Sequence, residues 1–199
     1  MLVGDSSSFA IESGITKAYE RLSFRALGYF VIYIGGHRYG VSAPDATMLA
    51  CSFDEVERRI KQRGRHVASF ADENDAGRIA DAYRDAIYAP DQEANCFFGI
   101  PHAEFRNLIY SNHLAWAPDG DEAFDDSSFI LQFDLGDRVR LIGFKSLEGK
   151  YHHDPATLAD VWLDANVFYQ TLQQWQNAFD EEWHRSTRIP ERNDGAGSF

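Results

Sequence analysis

The sequence predicts an α+β domain: an antiparallel sheet with helices packed on one face and a long C-terminal helix. Two pairs of runs predict the sheet, because apolar residues alternate with polar ones along each run and a glycine-containing turn joins the two runs of each pair. A stripe of aromatic and aliphatic residues at three- and four-residue steps predicts the long helix. We expect a single domain over residues 1–185 and a flexible tail over 186–199, because periodicity ends after Arg185.

The N-terminal part carries strand patterns. Apolar residues recur at every second position over residues 9–15, as in a half-buried strand. The β-branched and aromatic run 27–34 leads into Gly35-Gly36, and residues 37–41 can return as its partner. These features predict a hairpin.

Two helices are predicted next, over residues 52–62 and 75–89. Ser52 and Glu55 have the spacing of a capping box, which predicts where the first helix starts. We expect a solvated basic outer face on this helix, formed by Arg58, Arg59, Lys61 and Arg63. Pro90 ends the second helix.

The second half begins with a short predicted helix over residues 103–110 and a hairpin over 129–144 around Gly136-Asp137. The long helix is predicted to open at Asp154-Pro155, an N-cap followed by proline at the first helical position. Its apolar stripe is expected to be mainly core. The stripe comprises Leu158, Val161, Trp162, Ala165, Phe168, Leu172, Trp175, Phe179 and Trp183.

Composition indicates a folded, acidic protein of the cytoplasm. Hydrophobic residues make up 44% of the 199 residues, and the formal net charge is −12. No apolar run is long enough to span a bilayer, and the first residues lack a signal-peptide pattern. Cys51 and Cys96 lie outside any C-x-x-C motif and predict neither a disulfide framework nor a zinc site.

The negative charge is concentrated in the middle of the chain. Residues 72–135 hold 14 Asp and Glu against 3 Lys and Arg. Such a surface repels nucleic acid and anionic membranes and favours a basic protein partner, although it can also serve only for solubility. The predicted partner-binding residues are Trp116, Asp119, Asp121, Glu122, Phe124, Asp125 and Asp126. A flexible acidic loop with Trp116 in the core is the alternative.

No catalytic or cofactor motif is complete. The chain has no P-loop, dinucleotide fingerprint, G-x-S-x-G or H-E-x-x-H. His102 and Glu104 match half of a zinc-deaminase signature, but no cysteine follows Cys96. A calcium loop starting at Asp119 would need glycine where Phe124 stands. The pair at 152–153 is a weak metal candidate beside Asp154, which is better explained as a helix cap. We therefore predict no enzyme activity, no metal and no cofactor.

The residues Gly4-Asp5, Phe9 to Glu12, and the aromatic strand after Gly28 that runs into Gly35-Gly36 resemble the bacterial polymorphic-toxin immunity protein 42 family. The recognisable match spans roughly residues 1–40. The resemblance implies a cytoplasmic protein that binds and neutralises the cognate toxin domain of a secreted effector, and many such toxins are nucleases with basic active sites. Gly4 and Asp5 themselves are expected to be structural, through a positive φ and a turn cap.

Two other classes of function fit the sequence. One is a small ligand-binding or hydrolytic enzyme domain with a pocket among Tyr, Trp and His side chains, which a deep pocket with converging polar groups would favour. The other is a homo-oligomeric structural protein, and a homodimer is also compatible with the toxin-binding function.

Overall fold

A computed structural model of the chain describes residues 1–90, 95–116, 121–147 and 151–190. The strands are β1 Leu2–Asp5, β2 Phe9–Tyr19, β3 Ala26–Ile34, β4 His37–Tyr39, β5 Thr47–Met48, β6 Cys96–Phe97, β7 Ile100–Pro101, β8 Ser128–Leu135, β9 Arg138–Lys145, β10 Ala159–Asp164 and β11 Arg188–Ile189. The helices are α1 Leu49–Lys61, α2 Ala76–Tyr88, α3 His102–Ser111 and α4 Ala165–Arg185, with 3₁₀ turns at Glu122–Phe124 and Pro155–Thr157. The predicted α+β class and the long C-terminal helix are confirmed.

The first sheet has the strand order β1-β2-β3-β4, with β5 paired to β3 and β11 paired to β2. Its pairings are antiparallel except for the parallel pairing of β11 with β2. Gly35 and Gly36 both have positive φ, at +58° and +83°, as a tight two-residue hairpin turn requires. The predicted N-terminal hairpin is therefore confirmed.

Helices α1 and α4 cover one face of this sheet. Strand β3 sends Phe30 and Ile32 into the shared core, whereas Tyr29 and Tyr33 stand on the opposite, partly exposed face. There both tyrosine hydroxyls donate to the Glu12 carboxylate. The sheet thus follows the period-two pattern that predicted it.

The second sheet has the order β10-β9-β8, and its β8–β9 pair is buried on both faces. Val139 and Leu141 of β9 belong to the core formed with α1 and α4, whereas Ile142 and Phe144 belong to a second core beneath α2 and α3. The hairpin over 129–144 is confirmed, but it does not join the N-terminal strands in one sheet as expected. A strand pair that is apolar on both faces needs a layer on each side.

The predicted start of the last helix is wrong. Asp154 does cap a helical turn through the Ala156 amide, but this turn is the 3₁₀ segment Pro155–Thr157. Strand β10 follows and pairs antiparallel with β9 over its whole length. The long helix begins only at Ala165, where the Asp164 carboxylate accepts hydrogen bonds from the amides of residues 166 and 167.

The first helix also differs from its prediction. Helix α1 starts at Leu49, three residues before the expected Ser52 cap, and Ser52 lies buried inside the helix. Arg59, expected on a solvated face, is 0% exposed. Helices α2 and α3 lie where they were predicted, with Asp75 capping α2 through the Arg78 amide.

The first part of the predicted tail is ordered, because Arg188 and Ile189 of β11 pair with Ala18 and Tyr19 of β2. Residues 191–199 of that tail lie outside the described residues. No helix among the described ranges is long and apolar enough to cross a membrane.

Gly4 and Asp5 have the structural roles expected of them. Gly4 has φ +98°, and a Cβ atom there would lie 2.4 Å from the Phe9 carbonyl oxygen. The Asp5 carboxylate accepts hydrogen bonds from the amide and hydroxyl of Ser7, which closes the turn between β1 and β2.

Candidate functional site

The two aromatic residues of the predicted contact set lie in the core. Trp116 is 2% exposed, and its ring stacks against the guanidinium of Arg59 with 4.5 Å between the Arg59 Cζ atom and the ring centroid. Phe124 is 9% exposed and packs edge-on against Phe30. In this conformation they cannot serve as exposed anchors, and both belong to the core beneath the acidic segment, by which we mean residues 121–125.

The segment after residue 120 is a short 3₁₀ turn held at both ends. The Asp121 carboxylate caps it by accepting from the Ala123 amide at 2.9 Å. The Ala123 carbonyl accepts from the Val41 amide at 2.8 Å, which fixes the turn against the end of β4. Because Ala123 and Phe124 are buried, Glu122 and Asp125 point their side chains to solvent.

The remaining predicted contact residues differ from these. Asp126 accepts from the Ser128 amide and forms an ion pair with Lys145, so its charge is already compensated within the protein. Asp119 lies outside the described residues. The contribution of both residues to binding stays a prediction.

Helix α1 brings further carboxylates to the same place. Asp54 is exposed, and Glu55 is partly exposed and forms ion pairs with Arg58 and Arg59, both at 2.7 Å. Asp54 and Glu55 are not part of the predicted contact set, because residues 54 and 121 are remote in sequence. We call the group of five carboxylates the acidic surface, comprising Asp54, Glu55, Asp121, Glu122 and Asp125.

The side chains of this surface act on one another electrostatically. Burial raises the pKa of the Asp121 carboxyl, and the carboxylates of Glu55, Glu122 and Asp125 raise it further. The pKa of the exposed Cys51 thiol is raised by partial burial and by the negative charges of Asp121, Asp54 and Glu122. The carboxylates of α1 and of residues 121–125 thus lie close enough to act on Asp121 and on Cys51.

The acidity of residues 72–135 is not all in this region. Asp81 on α2 accepts hydrogen bonds from the amide and ring nitrogen of His153, and Glu73 pairs with Arg78. Asp134 is buried under α4, where it accepts from the Tyr169 hydroxyl. The count along the chain therefore overstates the charge of any single surface.

Of the histidines singled out by sequence, His102 and His153 are held within the fold, His153 by the Asp81 carboxylate, whereas His152 is exposed. The His102 ring is buried and lies 2.9 Å from the Ala86 carbonyl oxygen, and Asp154 caps the 3₁₀ turn after β9. Among the described residues there is no cluster of three or more His, Cys, Asp or Glu side chains arranged to hold a metal ion.

The clefts along the described chain include the following two. The first, with a volume of about 40 Å³, adjoins the acidic surface and is lined by Glu55, Arg58, Ile109, Tyr110, His113 and Ala115. The second is open, measures about 240 Å³ and lies between residues 69–78 and Phe98. Both are smaller than the ~300 Å³ at which small-molecule sites usually begin.

Comparisons with known proteins agree with the fold. The family model described as Immunity protein 42 matches residues 1–178. A crystal structure of CdiI from Burkholderia dolosa AUO158 has a TM-score of 0.55 and 15% sequence identity, over 89% of this chain and 99% of that chain. At this identity the likeness shows the fold alone. No curated protein is significantly similar in sequence.

Proposed function

Because the chain belongs to the immunity protein 42 family, we propose that it binds and neutralises the toxin domain of a secreted bacterial effector through its acidic surface. The protein acts by occupying its partner rather than by catalysis, and it does so in the cytoplasm of the cell it protects. The similarity in fold to a CdiI protein supports the same class of function.

The observation that carries the proposed site is an excess of uncompensated carboxylates. Within the described residues, Asp54, Asp121, Glu122 and Asp125 form no ion pair, and the cations beside Glu55 are Arg58 and the buried Arg59. Carboxylates held close together repel one another, so a basic partner relieves an unfavourable energy already present in the free protein.

The partner expected from this surface is a toxin domain with Lys and Arg around its active site, as in a nuclease. The carboxylates would take the position of nucleic acid phosphates, and long-range attraction would accelerate the encounter. The same surface disfavours nucleic acid itself as a ligand, because like charges repel.

A small enzyme is the second candidate function, and it has less support. Of the two clefts described above, the first is small and the second is open. Four polar side chains line the first, and two of them, Glu55 and Arg58, are already paired with each other. A catalytic pocket would instead present convergent, unpaired polar groups.

The affinity for the cognate toxin domain should depend strongly on salt. We expect the Kd to rise by about tenfold or more between 50 and 500 mM NaCl, because screening shortens the range of electrostatic attraction. Isothermal titration calorimetry across the salt series measures this.

The matched control is the neutral variant Asp121→Asn, Glu122→Gln, Asp125→Asn, which keeps side-chain size and retains a capping residue at position 121. It should bind more weakly and lose most of the salt dependence. A wild-type Kd that does not change with salt would refute binding through the acidic surface.

A further inference from the structure

Arg59 is a fully buried cation beneath the acidic surface. It is 0% exposed, and all three guanidinium nitrogens donate hydrogen bonds. Nε donates to the Glu55 carboxylate at 2.7 Å, Nη1 to the Gln132 side-chain oxygen at 3.0 Å, and Nη2 to the Ala115 carbonyl oxygen at 2.6 Å. The arginine therefore joins α1, β8 and Ala115, which lies six residues before Asp121.

One of these contacts belongs to the acidic surface itself, because Glu55 is one of its carboxylates. Trp116, whose ring packs on the guanidinium, lies in the same core cluster as Ala123 and Phe124 of the 3₁₀ turn. The planar guanidinium thus links the α1 part of the surface to the core on which its loop part packs. A lysine has no such fork, because its single ammonium cannot hold a carboxylate, an amide and a carbonyl in one plane.

Stability alone does not account for this arrangement. Removing a guanidinium from water is costly, and apolar residues of similar volume often replace buried ion pairs without loss of stability. What a buried, fully bonded arginine provides is a defined arrangement of the elements around it.

We propose that Arg59 is a positioning residue, which holds Glu55 and the segment 121–125 in the arrangement that binds the toxin without touching the toxin itself. This inference rests on the proposed function and deepens it by naming what shapes its surface.

A second buried arginine provides a matched control. Arg140 is 1% exposed and also binds a carboxylate, that of Asp160, together with the carbonyl oxygens of Ala71 and Glu73. Its partners lie on β10 and before α2, and none belongs to the acidic surface. Arg59→Lys and Arg140→Lys therefore make the same chemical change in comparable surroundings, but only the first affects the proposed binding surface.

Cys51 reports on this surface without any toxin. Both Cys51 and Cys96 are exposed thiols, and the negative charges of Asp121, Asp54 and Glu122 raise the pKa of the Cys51 thiol. If the acidic segment loosens, the carboxylates retreat and the Cys51 thiolate forms more readily. We expect Arg59→Lys to raise the iodoacetamide alkylation rate of Cys51 relative to Cys96 by about threefold or more, which corresponds to roughly half a pKa unit.

The full experiment measures this rate ratio by mass spectrometry and the Kd for the cognate toxin domain by calorimetry. Both are measured in the full chain, under conditions where urea unfolding shows each variant to be folded. Arg59→Met replaces Arg59→Lys if the lysine variant does not fold. We expect the Arg59 variant to raise both the rate ratio and the Kd, the Kd by about tenfold, and Arg140→Lys to change neither.

Each other outcome overturns the proposal. Equal effects of the two variants would show a general loss of stability, and no effect of the Arg59 variant would show that the surface keeps its shape without the guanidinium. A raised rate ratio with unchanged Kd would show that Arg59 shapes a surface the toxin does not use. That last result would also refute the proposed binding site. An unchanged rate ratio would refute only the role of Arg59 and would not affect the proposed binding site.

Discussion

Reversing the charge of Asp121, Glu122 and Asp125 to lysine should abolish protection against the toxin. The variant replaces three attractive contacts with a basic partner by three repulsive ones. Single close charge pairs across such interfaces contribute on the order of 1.5–7 kcal/mol, so the Kd should rise by at least about 100-fold. Growth of cells that express toxin and variant together, with calorimetry of the purified pair, measures both effects.

The control carries the same charge change elsewhere, at the exposed carboxylates of Glu20, Asp72 and Glu181. It changes the net charge of the protein by the same amount, so it distinguishes the effect of local contacts at the acidic surface from the effect of long-range attraction. We expect it to slow association modestly and to preserve protection. If the reversed acidic surface still protects cells fully, the acidic segment has no part in neutralisation.

The substitution Trp175→Ala should cost about 3–5 kcal/mol of unfolding free energy. Trp175 is 0% exposed, stacks on Phe179, packs edge-on against Phe30 and donates its indole N–H to the Ser13 hydroxyl. Truncation leaves a cavity between α4 and the first sheet and an unpaired hydroxyl. Domains have only about 5–15 kcal/mol of stability, so a large share would be lost.

Trp162→Ala is the matched control, because Trp162 is 37% exposed on the edge strand β10 and stacks with Arg138. It should cost about 1 kcal/mol or less. Urea unfolding followed by circular dichroism compares the two variants. Similar midpoints for both would contradict the assignment of α4 to the core.

The strands of the fold were predictable because their patterns are local. The turn residues Gly35-Gly36 and Gly136-Asp137 and the alternation on either side specify both hairpins. Their assembly into separate sheets was not predictable, because it depends on which faces meet across the fold. Burial of the β8–β9 hairpin on both sides is a tertiary feature.

The wrong start of the last helix shows a competition between two periodicities. Val161 and Trp162 fit the helical stripe, yet residues 159–164 also alternate, with Asp160, Trp162 and Asp164 on the exposed side. All six residues of β10 pair with β9 in the antiparallel register, and this pairing stabilises the strand over the helix.

The candidate site was predictable only in part. Glu122 and Asp125 were identified because acidic residues are clustered along the chain, but Asp54 and Glu55 join them only through the packing of α1 beside the 3₁₀ turn. The burial of Arg59 could not be predicted, because its partners at 115 and 132 lie 56 and 73 residues away. Its place in a run of basic residues instead predicted exposure.

Amide hydrogen exchange of the protein, free and bound to its cognate toxin domain, tests the central claim most directly. Binding through the acidic surface should slow exchange in two segments remote in sequence, residues 51–58 of α1 and residues 121–128, and leave α2 unchanged. Slowed exchange on another face, with these two segments unaffected, would contradict the claim.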